Sequence, residues 1–420
     1  MASKNGIAVV IDIGTSQIRG VVATTAEGGR IEILAFGSVP SAGIKRGLVV
    51  NIDEFSAAMR TLVGRLEEKA EIDIAVVDVS IAGQAVQTHT FDGIRYTGNS
   101  GIVAQSDIDY LLSEAKNMPL EYGHKIYHIF PQHYTIDDDS DIRVPVGHAG
   151  RKVNARFKLL TAPRQYEDNL KMALAKCGLN LGQCILSPVA IAQVAATYDE
   201  KEAGVALVDM GAGNTKISVF VDGNYTHAAV IPFAGEAVTR DIREGCAILP
   251  RFAEQLKVQY GQALGDFAEE EKVVTIAGGN GWESKEISFK SLAYIIQARL
   301  EEIIDIVYQQ IERSGLLEHA HQGIILTGGT SNMKNILQIL KFRTGMDARL
   351  GGAEVRIQAP RELDKREYLT ALGMLKIVLS PNAQPRNKPA KKEKSNLLNS
   401  ITEKITKQID IIFSEEDRTL

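Results

Sequence analysis

The sequence predicts an α/β fold built twice over. Two lobes share one plan, a small α+β subdomain is inserted in the first, and an amphipathic helix stands apart at the C-terminus. Three observations carry this. Residues 6–22 (GIAVVIDIGTSQIRGVV) and 204–221 (GVALVDMGAGNTKISVFV) write the same hairpin: an apolar entering strand, a break at Asp and Gly, and a hydroxyl-bearing exit strand. Between about 85 and 165 the texture changes to short strands around a single helix. Beyond a Pro/Lys/Asn-rich stretch, helical spacing of apolar residues returns at 397–413.

Bulk properties agree with a globular, multidomain chain. Its 420 residues can bury more than one core. A formal net charge of −5 gives no reason to expect nucleic acid as a partner. Cys177, Cys184 and Cys246 have neither the number nor the spacing of a disulfide framework or zinc site and read as reduced thiols. Met1–Gly6 is too short and polar for a signal peptide, and no apolar run is long enough to span a bilayer. The expectation is a chain that is soluble or sits at most on a membrane surface.

In order, strands are expected at 7–11, 18–25 and 31–39, a helix at 52–70 with Asp53 as its N-cap, and a strand at 75–83. QTHTFDGIRY, KIYHIFPQHYTIDDDSDI and ARFKLLTAP read as strands of the insert, with a helix at 108–118. His124, His128 and His133 lie four and five residues apart in strand-like context, a weak metal signal. Helices follow at 164–176 and 189–198. After the second hairpin come a helix-rich stretch (235–261), a hairpin around Gly278–Gly281 and a long helix at 290–313. A strand–Gly-Gly–helix unit (323–340) and a closing helix (368–379) complete the body. The implied partition is 1–84 and 164–198 for the first lobe, with 85–163 inserted. Residues 199–232, 233–320 and 321–379 form the second lobe, its upper subdomain and its remainder, before a linker (380–395) and the terminal helix (396–413).

Each hairpin sets a carboxylate, Asp12 or Asp209, at the end of a strand before a glycine-bearing turn. Glycine lets successive N–H groups point into one concavity, which suits phosphate oxygens. Thr15, Ser16 and Thr215 add hydroxyls and Arg19 a cation. The carboxylates repel phosphate, a conflict that a bridging Mg²⁺ held largely through water resolves. Either turn alone is an ordinary hairpin turn. Two of them can grip a polyphosphate from opposite sides. Thr327–Ser331, between strand and helix, offers small residues for close approach of a nucleoside and a helix N-terminus near phosphate. Neither GxxxxGK[ST] nor a helix-opening GxGxxG is present.

With these motifs the chain resembles the actin, heat-shock ATPase and sugar-kinase superfamily. IDIGTSQIRG resembles its first phosphate motif, VDMGAGNTKI its second and ILTGGTSNMKNI its adenosine motif. Within it, GLVVNIDEF, IPFAGEAVTRDI and VPVGHAGRKVNARFKLLTA resemble the bacterial cell-division FtsA family over nearly the whole length. The resemblance implies an actin-like fold of ribonuclease-H-like duplicated lobes, binding ATP and Mg²⁺. It implies Asp12 near the metal, with Asp209 opposite, and Gly14, Thr15, Ser16 and Arg19 on the phosphates against Gly211, Gly213 and Thr215. Gly328, Gly329, Thr330, Asn332 and Met333 would pack on adenosine, and Arg243, Glu244, Glu254 and Lys257 would touch base and ribose. Gln193 is the candidate for orienting the attacking water. Ala212 and Asn214 depart from the superfamily pattern, so weak or absent ATPase activity is implied. Family members polymerise, tether the tubulin-like FtsZ through its C-terminal peptide to the cytoplasmic face of the inner membrane at the division site, and recruit later division proteins. The alternatives are a pilus-assembly ATP-binding protein and a small-molecule kinase of the same superfamily.

On the terminal helix Leu397, Leu398, Ile401, Ile405, Ile409, Ile412 and Phe413 share one side. A membrane interface suits this stripe, aided by Lys388, Lys391, Lys392 and Lys394, and so does a partner helix, since isoleucine recurs at intervals of four. The family resemblance implies the membrane.

Overall fold

The computed structural model describes residues 6–26, 29–277, 283–315, 317, 323–353 and 357–380. The chain opens with β1 (Ala8–Ile13), β2 (Gln17–Thr25) and β3 (Ile31–Pro40), a short hairpin of β4 (Ile44–Lys45) and β5 (Leu48–Val49), then α1 (Ile52–Ala70) and β6 (Val76–Ile81). The insert follows as β7 (Gln87–Tyr96), α2 (Gln105–Lys116), β8 (His124–Ile136), β9 (Asp139–Ile142) and β10 (Lys152–Pro163). α3 (Arg164–Ala175), β11 (Asn180–Leu186) and α4 (Ser187–Ala192) complete the first lobe. The second comprises α5 (Tyr198–Glu202), β12 (Val205–Met210), β13 (Thr215–Val221), β14 (Asn224–Ile231), α6 (Gly235–Gly245) and α7 (Pro250–Tyr260). It continues through β15 (Val273–Ile276), β16 (Lys285–Ser288), α8 (Phe289–Arg313), β17 (Ile324–Thr327), α9 (Ile336–Thr344) and β18 (Ala348–Leu350). β19 (Ile357–Gln358) and α10 (Leu369–Val378) return to the first lobe.

The two main sheets run β11-β6-β1-β2-β3-β19 and β14-β13-β12-β17-β18. In each, a hairpin and its following strand pair antiparallel, and two parallel strands extend the sheet from the hairpin's first strand. β1 and β12 are buried at every position, as the uninterrupted apolar runs of central strands require. α1 packs one lobe's sheet through Phe55, Met59, Leu62, Val63 and Leu66, spaced to line one helical face.

α4 and α10 cross between the lobes. A Cβ on Gly373 would lie 1.8 Å from the Ala190 carbonyl oxygen, so only glycine permits this approach. The insert's four strands pair in the order β7-β10-β8-β9 and close their own core around Leu111, Phe157 and Leu159. It also seals the second lobe's edge strand β14. Phe130 stacks on Tyr225 with ring centroids 4.4 Å apart, and Thr88 Oγ1 donates to the Ala228 carbonyl and accepts from its N–H.

Three expectations are corrected. Asn51, not Asp53, caps α1: its Oδ1 accepts from the N–H groups of Asp53 and Glu54. The helix expected over 189–198 ends at Ala192, where the N–H groups of Gln193 and Val194 turn to the carbonyls three residues back, and Thr197 and Glu200 form a capping box that starts a separate helix. After the Gly-Gly pair only a 3₁₀ turn, Gly329–Asn332, follows directly; Asn335 at φ 63° interrupts the chain and α9 begins at Ile336. β15 and β16 form the expected hairpin, with its turn at 278–282 outside the described residues. The linker from residue 381 and the helix at 396–413 also lie outside them.

Candidate functional site

The two hairpins close their turns with the same backbone hydrogen bond. Gly14 N–H donates to Gln17 O and Gly211 N–H to Asn214 O, each at 3.1 Å. Asp12 pairs in register with Arg19, and Asp209 with Lys216. Since Gly14 and Gly211 spend their N–H groups closing the turns, the donors left for an anion are those between. The N–H groups of Thr15, Ser16, Ala212 and Gly213 have no acceptor among the described residues.

Both turns open on one cleft of about 420 Å³. Asp12, Gly14, Thr15, Ser16 and Arg19 line it from the first lobe, and Asp209, Gly211, Ala212, Asn214 and Lys216 from the second. Gly328, Gly329, Thr330, Asn332 and Met333 form another wall, with Glu254 and Lys257 of α7 above. Asp364, Arg366 and Glu367, ahead of α10, complete the rim.

Neighbours hold each charged group in place. Ser80 Oγ donates to Asp12 Oδ1 at 2.7 Å and accepts from the Ile13 N–H. Asp209 Oδ2 lies 2.5 Å from Lys216 Nζ, and Thr327 Oγ1 approaches its Oδ1 at 3.4 Å. Burial works against the Lys216 charge, but the carboxylates of Asp209 and then Asp12 outweigh it and raise the ammonium pKa above its ordinary value. Arg19 presents a buried Nε with no partner among the described residues, while its other end lies 3.6 Å from Glu367 Oε2. An orphaned guanidinium nitrogen beside free backbone donors fits an anionic ligand.

Gly328 joins the adenosine-type turn to the second hairpin. Its φ is 87°, and a Cβ there would lie 2.4 Å from Met210 O and 2.5 Å from Asp209 Oδ1. Thr330 Oγ1 donates to Gly211 O at 2.8 Å. Lys257 Nζ donates to Gly235 O, Thr239 Oγ1 and Glu254 Oε2, which fixes α7 over the cleft.

Five expected residues stand elsewhere than expected. Thr215 is fully buried and donates to Phe233 O; side chains alternate along a strand, so with Lys216 in the cleft Thr215 points away. Gly213 backs the cleft, its Cα packed on Thr15. Arg243 and Glu244 pair with each other outside the lining, about 12 Å along α6 from the cleft residue Gly235 at 1.5 Å per residue. Gln193 is buried beyond α4 and is not among the lining residues. The histidines form no metal cluster among the described residues; His128 Nε2 instead accepts the Leu186 N–H at 3.1 Å.

Sequence reasoning missed Lys216, Ser80, Asn214 and the Asp364–Glu367 rim. For Lys216 the signal existed, since it follows Asp209 by the interval that separates Arg19 from Asp12. Ser80 reaches Asp12, and the rim reaches the cleft, only through tertiary packing.

Two lobes of one plan, each offering an Asp–Gly turn to a common cleft, define an actin-like protein. Solved structures share this fold: the PilM-PilN type IV pilus biogenesis complex matches with a TM-score of 0.61 and 16% identity over 87% of this chain and 96% of that one. MreB5 of Spiroplasma citri bound to ADP matches with 0.52 and 13% over 89% and 96%. The family model for cell division protein FtsA matches residues 206–373, and that for the SHS2 domain inserted in FtsA matches 83–161. Cell division protein FtsA of Neisseria meningitidis serogroup B is 33% identical over 373 residues, 87% of this chain and 88% of the relative. That of Pseudomonas aeruginosa is 32% identical over 82% of each chain. The chain belongs to the FtsA family of cell division proteins.

Proposed function

We propose that the chain is an ATP-binding, actin-like scaffold of cell division. It polymerises, tethers FtsZ filaments through their C-terminal peptide to the cytoplasmic face of the inner membrane, and recruits later division proteins. The observation that carries the nucleotide reading is the pair of matching turns lining one cleft, with free backbone donors in both. The MreB5 structures similar to this chain carry ADP and AMPPNP, which supports the same reading.

In this reading Thr15, Ser16, Ala212 and Arg19 hold the phosphates, with Gly213 behind them. Gly328, Gly329, Thr330, Asn332 and Met333 face the adenosine, with Glu254 and Lys257 toward the ribose side. Asp12 is the better placed carboxylate for a water-shelled Mg²⁺, because Asp209 is already committed to Lys216 and Thr327. The cation would neutralise phosphate charge beside Asp12. Gln193 lies off the cleft lining, which supports reading ATP as a structural ligand that sets the polymerisation state, with weak or no turnover.

No helix among the described residues is long and apolar enough to cross a membrane. The sequence stripe Leu397, Leu398, Ile401, Ile405, Ile409, Ile412 and Phe413 is the tether in this reading, its apolar residues suited to a lipid interface. Cosedimentation with anionic liposomes and an FtsZ tail peptide, with and without ATP, tests the whole reading. The full chain should pellet with vesicles and peptide, ATP should increase self-association, and removing residues 396–420 should abolish vesicle binding alone. Unchanged vesicle binding after that truncation would refute the tether; no response to ATP would refute the nucleotide role.

A further inference from the structure

We infer that Asn214 is an interlobe clasp that pins the second phosphate turn to the first lobe and makes the floor of the cleft its hinge. The inference rests on the nucleotide reading for its consequence, though not for its geometry. Asn214 belongs to the second lobe's turn, yet its amide Nδ2 donates to two carbonyls of the first: Ala82 O at 2.8 Å, just beyond β6, and Arg46 O at 3.1 Å, between β4 and β5. Both neighbours are acceptors, so only the NH₂ end of the amide can face them. The side chain is 4% exposed and has its donors satisfied.

The next residue of the β4–β5 loop extends the clasp to the other turn. Gly47 N–H donates to Thr15 Oγ1 at 3.1 Å, and Thr15 packs in turn on Gly213. One short loop thus holds both phosphate turns, by its carbonyl to the second and its N–H to the first. Parting the lobes at the floor must break both Asn214 hydrogen bonds, the buried one to Ala82 and the half-buried one to Arg46. Rotation that opens the mouth toward α7 leaves them intact. The clasp therefore sets the spacing of the two turns, and with it how long a polyphosphate gripped between them stays.

The test uses the full chain with Asn214→Asp, which keeps the shape but turns a double donor into an acceptor facing two carbonyls, and Asn214→Ala as the milder variant. Without nucleotide, amide hydrogen exchange at 43–49 and 82–86 should accelerate in both variants while α1 and α8 stay protected. A fluorescent ATP analogue should leave Asn214→Ala about tenfold faster, the factor expected for a lost buried hydrogen bond, and Asn214→Asp faster still. Unchanged exchange at 43–49 overturns the clasp. So does an unchanged release rate in a chain that binds the analogue. If the native chain binds no analogue, the nucleotide reading fails, and the exchange data still decide the clasp.

Discussion

Lys216 stands directly across β12 and β13 from Asp209, its Nζ 2.5 Å from Oδ2, and fills in the second hairpin the place that Arg19 fills against Asp12 in the first. The duplication thus extends from backbone to charge. The two cations differ in their use. Lys216 is spent on its carboxylate, whereas Arg19 keeps a buried nitrogen without a partner among the described residues.

Removing Lys216 should leave the largely buried Asp209 carboxylate without its cation, held among the described residues only by the long hydrogen bond from Thr327. Lys216→Met is expected to destabilise the protein by about 3 kcal/mol, measured by urea unfolding. Asp209→Asn added to it should restore most of the loss. The native pKa of Lys216 is raised, so its contribution is fully present below the ordinary lysine value and disappears as pH rises through the folded value. The stability gap between native protein and Lys216→Met should therefore narrow above about pH 10.4. A gap that widens in alkali would count against the ion pair.

His128 offers the opposite sign. Burial, aided by Lys125, lowers its pKa to about 3, so it is neutral in the folded protein, where Nε2 accepts the Leu186 N–H. Between the ordinary value near 6.5 and about 3 the unfolded chain binds a proton that the folded chain does not. Stability should fall with pH across that window, and less steeply in His128→Gln. Equal acid slopes for the two proteins would show that His128 titrates freely.

At the helix crossing, Gly373→Ala drives a methyl into the Ala190 carbonyl. Separating α4 from α10 should cost about 2–3 kcal/mol, with a matching fall in thermal midpoint. A neutral result would mean that the helices part easily.

Gly328→Ala acts on the site itself. Its φ of 87° and the closeness of Met210 O leave no room for a Cβ, so the turn must move off Asp209. ATP binding, followed by isothermal titration, should weaken more than tenfold. Retained affinity would remove this turn from the nucleotide wall.

Periodicity and turn chemistry made most elements legible, because central strands and amphipathic helices write their burial directly into residue order. The paired hairpins, α1, α8 and α10 are of this kind. Legibility failed where a local signal had rivals. Asn51 and Asp53 are both good caps, and only the backbone conformation selects Asn51. The small-residue run after Ser187 looks helical until Thr197 and Glu200 start a separate helix. Arg243 and Glu244 read as site residues by motif position, yet helix geometry carries them beyond the cleft.

By itself the sequence determined that one hairpin occurs twice, with an acid, a glycine and a cation at equal intervals, because hydrogen bonding within a hairpin involves only near neighbours. Tertiary structure alone decided what each repeat faces. Ser80 beneath Asp12, Asn214 on Arg46 and Ala82, and Glu367 at Arg19 are contacts between residues remote in the chain. Pairing of β6 with β1 brings Ser80 to Asp12, the return of the chain to the first lobe brings Glu367 to Arg19, and the packing of the two lobes brings Asn214 to Arg46 and Ala82; no local pattern encodes any of these meetings.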